Sequence, residues 1–179
     1  MDEADDQATR NGSDLCTHCG LCCDGTLFVR MRIEPEEVVA ATRAGLEVVV
    51  GEGAARGSQP CPSLEDRCCT IYPARYAVCR RYRCMLLGRL GAGTVDRTTA
   101  FARVAEAQRM RTAARSAAIF AGTPDFSIAA TRRPDAWQPP RDPEARRVTA
   151  VAHLAGAALA LYLAKHFHAG QAEDDAPPG

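Results

Sequence analysis

Large side chains are scarce in this chain. Its 46% hydrophobic content leans on alanine, and only 6% of its 179 residues are aromatic. A core built from so few bulky groups needs help from elsewhere, especially in short segments. Net charge is missing as well, because 22 basic residues balance 22 acidic ones, and overall charge argues for no particular partner. No basic leader followed by an apolar run opens the sequence, so no secretory signal is visible and a cytoplasmic location is expected. The longest apolar stretch, 148–164, is interrupted by His153 and rich in Ala and Gly, and it reads as a packed helix rather than a membrane span. GxSxG, HExxH and paired-carboxylate patterns are all absent, which removes the commonest hydrolase signatures and leaves enzymatic activity unassigned.

Cysteine is absent from the last 95 residues and crowded into the first 84. The nine thiols fall at 16, 19, 22, 23, 61, 68, 69, 79 and 84. A disulfide framework suits them poorly. The expected compartment is reducing, the count is odd, and the adjacent pairs 22/23 and 68/69 do not form ordinary bridges within themselves. Cys16-Thr17-His18-Cys19 has the spacing of a redox dithiol but lacks the βαβ surroundings of a thioredoxin. Metal ligation fits better. A two-residue gap turns two sulfurs toward one ion, and Cys16, Cys19 and Cys22 extend this to three. The same run opens the bacterial ferredoxin pattern, in which a further ligand comes from elsewhere in the chain. On this spacing Cys23 turns toward another ligand set.

The joint pattern of 16–23, Cys61-Pro-Ser-Leu, Cys69-Thr-Ile-Tyr72 and Cys79-Arg80-x-Tyr82-x-Cys84 resembles the YkgJ-type cysteine-cluster family, over roughly residues 14–88. That resemblance implies a zinc- or iron-chelating domain, the iron either alone or as an iron–sulfur cluster. Its ligands would be Cys16, Cys19, Cys22, Cys23, Cys61, Cys69, Cys79 and Cys84. Where the family usually has Arg-Pro this chain has Arg75-Tyr76, and Cys68 is an extra thiol that reads as a small buried residue. Eight thiolates suffice for two four-coordinate sites. Six arginines and no carboxylate lie between Arg67 and Arg89. They are suited to offset the charge of such sites or to form a phosphate-binding face. Metal removal is expected to unfold the front of the chain.

The expected architecture is α+β: a small cysteine-rich metal-binding module with short strands, followed by two long helices. Acidic tails at 1–13 and 170–179 read as disordered, the module as 14–90, and the helical region as 91–169 with a proline-rich connector at 123–143. Alternation at Leu27, Val29, Met31 and Ile33 predicts a strand, Pro35-Glu36-Glu37 a short helix ending near Gly45, and Gly51, Gly53 and Gly57 a flexible connection. Glu65-Asp66-Arg67 is expected to turn a hairpin, and Gly88, Gly91 and Gly93 to form a turn. Asp96 and Asp142 are expected to cap long helices running to about Ala121 and His168. His18 reads as an exposed or supporting residue. His153, His166 and His168 read as surface histidines, and Tyr72 and Tyr82 as packing. The partners expected are a metal ion and a protein, without nucleic acid or membrane. Rival readings are an iron–sulfur redox or radical enzyme component and a zinc-stabilised adaptor using the arginine face.

Overall fold

The computed structural model describes residues 12–51, 54–123 and 140–168. Residues 1–11 of the expected N-terminal tail, nearly all of the proline-rich connector and the C-terminal tail lie outside them, whereas Gly12 and Ser13 of that first tail are helical rather than disordered. The architecture is α+β. Residues 12–19 form helix α1. Strand β1 (Arg30–Ile33), a 3-10 turn (Pro35–Glu37), helix α2 (Val38–Arg43), and strands β2 (Val48–Gly51) and β3 (Ala54–Ser58) follow. A two-stranded hairpin comes next, β4 (Leu64–Glu65) and β5 (Cys68–Cys69), then a second 3-10 turn (Tyr72–Ala74), α3 (Ala77–Arg81), α4 (Met85–Gly91), α5 (Arg97–Phe120) and α6 (Pro143–His166).

The larger sheet is antiparallel in the order β1-β3-β2. Its core face carries Ile33 and Ala55, which pack with Ala41, Leu46 and Tyr76 into a small hydrophobic cluster. β1 is shorter than the alternation suggests. Upstream of it the chain is spent on turns around the cysteines: Asp24 Oδ1 accepts from Thr26 N at 2.8 Å, and Leu21 O accepts from Leu27 N. The glycine-rich connection is instead strand at Gly51 and Gly57, and Gly53 lies outside the described residues. Gly57 pairs with Met31, and a Cβ there would come within 2.5 Å of Leu46 Cδ2, so a larger residue would have to displace the Leu46 side chain. The hairpin turn falls where expected but is tighter: Glu65 belongs to β4 and pairs with Cys68, leaving Asp66 and Arg67, both at positive φ, as a two-residue turn.

Asp96 and Asp142 cap the two long helices by accepting from Thr99 N and Ala145 N. The buried face of α5 is mostly small, with Ala100, Ala107, Ala114 and Ala118 around Val104. It meets Ala152, Gly156, Leu159 and Leu163 of α6. Alanine abundance thus serves close helix packing rather than a bulky core. Gly88 and Gly91 lie within α4 rather than in a turn; only Gly93, at φ +67°, takes the turn conformation. Leu86, Leu87 and Leu90 of α4 join Leu15, Leu21, Leu27 and Phe167 in the main core. Among the described residues α6 is the one helix long and apolar enough, by length and composition alone, to cross a membrane. One of its faces packs on α5, while Val151, Leu154 and Leu161 are exposed.

Candidate metal centre

The cysteine turns are held against α5 by polar contacts. Arg97 pairs with Asp14 at 2.9 Å, and Arg111 with Asp24 at 2.9 Å. Between them Gln108 Nε2 donates to the carbonyls of His18 (3.0 Å) and Cys19 (2.9 Å), and its Oε1 accepts from Arg67 of the hairpin turn at 2.8 Å. The end of α6 closes the other side, where the carbonyl of fully buried Phe167 accepts from Met85 N at 3.0 Å. Burying a side chain of this size contributes about 2–3 kcal/mol. The long helices are therefore the wall on which the cysteine segments are mounted.

All eight of the cysteines singled out by spacing and resemblance line one cavity of about 200 Å³. Cys68, expected to be buried, is instead exposed, because it directly follows the tight Asp66-Arg67 turn on a two-residue strand, and it is not among the lining residues. The thiols divide into two groups, one packed against the main core and the other, Cys69 excepted, in or against the smaller cluster. Cys16, Cys19, Cys22 and Cys84 form one. Cys23, Cys61, Cys69 and Cys79 form the other. The Cys22–Cys23 peptide joins them, and Cys61 N donates to Cys23 O at 2.7 Å within the second group. Among the described residues no set of three or more Cys, His, Asp or Glu side chains has closed to ion-holding geometry, so these are convergent neighbours rather than finished coordination spheres.

Their chemistry suits a soft or borderline ion. Burial pushes the thiols up, with crowding by neighbouring sulfurs as a further cause: Cys19 and Cys23 to about 12, Cys79 to about 11, and Cys22 well above its ordinary value. A bound cation supplies the charge that lets such thiols ionise. Backbone N–H groups are already aimed at sulfur, from Leu21 to Cys19, Ile71 to Cys69, and Leu87 to Cys84 at 3.3 Å. These donors support the thiolate form, so the residues present fit a thiolate-bound metal.

The arginine-rich stretch splits into two roles. Arg80 and Arg81 turn to Glu37 and Glu34, while Arg80 also donates to the Arg75 carbonyl. Arg75 faces the sulfurs, lowering Cys16, Cys69 and Cys79 against the effect of burial; Arg83 does so for Cys16. Arg75 is fixed by Tyr72, stacking 3.9 Å from the ring centroid and donating to the Tyr72 carbonyl at 2.7 Å. Tyr72 is more than packing, since its hydroxyl bonds Cys16. Tyr82 does pack, edge-on to Phe28 at 4.8 Å. His18 is exposed, bonded to the Asp14 carbonyl and set against Phe101, away from the cavity. His166 is only partly exposed, and desolvation followed by Arg103 holds it below its ordinary value. Spacing alone pointed to neither Gln108 nor Phe167, both of which touch the site from far along the chain.

Neither the curated proteins nor the solved structures contain a match to this chain. A family model matches residues 15–112, more than half of the chain, and its match ends one residue beyond Arg111, the last of the α5 side chains that brace the cysteine turns. The chain belongs to that family, CxxCxxCC, described as a "Putative zinc- or iron-chelating domain".

Proposed function

We propose that the eight cavity thiols hold two four-thiolate metal sites. The inner one is Cys16, Cys19, Cys22 and Cys84; the outer one is Cys23, Cys61, Cys69 and Cys79. The observation that carries this reading is the packing of the cavity thiols, with Cys16, Cys19, Cys22 and Cys84 against the main core and Cys23, Cys61 and Cys79 in or against the smaller cluster. The metal is zinc or iron, and its role is structural or metal-handling. When bound it supplies positive charge that holds the thiolates together and stiffens short elements that bury little. Two tetrathiolate zinc sites carry excess negative charge, and Arg75 and Arg83 offset it. The thiols need a reducing compartment such as the cytoplasm.

A second reading, an iron–sulfur cluster in a redox component, draws support from the inner set alone, where three cysteines at two-residue gaps join a remote fourth. The adaptor reading is weakened because Arg80 and Arg81 are engaged by carboxylates. Elemental analysis and a visible spectrum of protein purified without oxygen test these readings. Two zinc ions per chain without colour support the two-site form. Iron with acid-labile sulfide and a brown absorption band supports the cluster. Absence of both metals under either condition overturns the proposal.

A further inference from the structure

The two groups of cysteines rest on unequal supports. The inner thiols sit on α1 and the turn after it, which Arg97, Gln108 and Arg111 of α5 brace, and on the N-cap of α4, a helix with three buried leucines. Leu15 and Leu21, interleaved with them, are 2% and 0% exposed. In the outer group Cys69 lies on a two-residue strand just past the left-handed Asp66-Arg67 turn, and Cys79 on the five-residue α3. Neither α3 nor either strand of the hairpin contains a buried residue, and what ties them to the rest of the fold is polar and mostly exposed: Arg67 to Gln108, Arg80 and Ala77 N to Glu37, and Arg81 to Glu34. Cys23 and Cys61 of the same group remain anchored, Cys61 at 8% exposure.

Segments with few buried contacts open locally at small free-energy cost, whereas those tied to the core open only with the whole fold. We infer, resting on the two-site reading above, that the outer site is an exchange site for a thiophilic divalent cation and the inner site is a permanent one. Cys69 and Cys79 swing away with the hairpin and α3, leaving the ion on Cys23 and Cys61 and open to another thiol-bearing donor or acceptor. Exchange is ligand substitution alone. Each sulfur that leaves the ion takes up a proton from solvent, and no electron is transferred.

The test uses the full chain reconstituted with zinc and challenged with excess 4-(2-pyridylazo)resorcinol, zinc release being followed by absorbance. Two equivalents are expected, one leaving at least about tenfold faster than the other. Cys69→Ser removes the fast equivalent and keeps the slow one, and Cys84→Ser does the reverse. If Cys84→Ser fails to fold, hydrogen exchange on wild-type protein that has lost only its fast equivalent decides the assignment. Residues 64–81 should then exchange quickly while 12–19 and 85–91 stay protected. Two equivalents leaving at one rate, or loss of the slow one in Cys69→Ser, overturns the inequality and leaves the two-site reading standing. One equivalent or none in wild-type protein overturns both.

Discussion

Gly20 offers the sharpest perturbation of the metal centre short of removing a ligand. It stands between Cys19 and Leu21 at φ +67°, where any side chain is strained by about 1–2 kcal/mol. A Cβ there would also lie 3.0 Å from the Arg67 carbonyl oxygen and 3.2 Å from Arg67 Cα, both backbone atoms of the hairpin turn. Relief requires the cysteine turn or the hairpin to move, adding about 1–2 kcal/mol. Gly20→Ala is therefore expected to cost about 2–4 kcal/mol, a fall in Tm of roughly 5–15 °C for a chain of this size. Zinc affinity should fall as well, because the same turn aims Leu21 N at Cys19 sulfur. Thermal unfolding of zinc-loaded protein and metal content after gel filtration check both effects. Gly88→Ala is the control: its Cβ meets nothing within 4 Å on helix α4, so stability should rise by about 0.5–1 kcal/mol. A Gly20→Ala protein with wild-type Tm and full metal content would refute the argument that the hairpin backbone presses on the cysteine turn.

Gln108→Ala removes two donors from the His18 and Cys19 carbonyls and one acceptor for Arg67, and should lower stability by about 1–3 kcal/mol in urea unfolding; no loss would show that α5 does not brace the site. Cys68→Ser should leave metal content unchanged while Cys69→Ser lowers it, since only Cys69 lines the cavity; equal losses in elemental analysis would put Cys68 among the ligands. Burial raises Cys19 and Cys23 to about 12 and Cys79 to about 11, so an incoming ion displaces protons from these thiols throughout the neutral range. Apparent zinc affinity should therefore rise with pH up to about 11, by well over tenfold per unit near neutrality, because several protons leave for each ion. Competition titrations at two neutral pH values would expose a flat, contrary response.

Local chemistry was legible wherever one residue decides a local conformation. Asp96 and Asp142 announce the starts of α5 and α6 because a capping carboxylate acts within three residues of itself. The hairpin turn was visible at Asp66-Arg67 for the same reason. The stretch around Gly57 and the helix through Gly88 read wrongly because propensity was the only local information there. Pairing with Met31 on one side and Val48 on the other keeps Gly57 in a strand, and burial of Leu86, Leu87 and Leu90 keeps Gly88 in a helix. Tyr72 looked like filler until the fold brought Arg75 across its ring and Cys16 to its hydroxyl.

By itself the sequence determined the chemistry on offer: nine thiols within the first 84 residues, three of them at two-residue gaps that suit a thiophilic ion. Side-chain identity and short-range spacing are written directly in the chain. Which thiols become neighbours was decided by tertiary structure, because Cys84 reaches Cys16 and Cys19, and Cys61, Cys69 and Cys79 reach Cys23, only across long loops that the two sheets, α4 and the α5–α6 wall close. The unequal bracing of the two groups was decided there as well, since burial is a property of the packed chain and is absent from any segment alone.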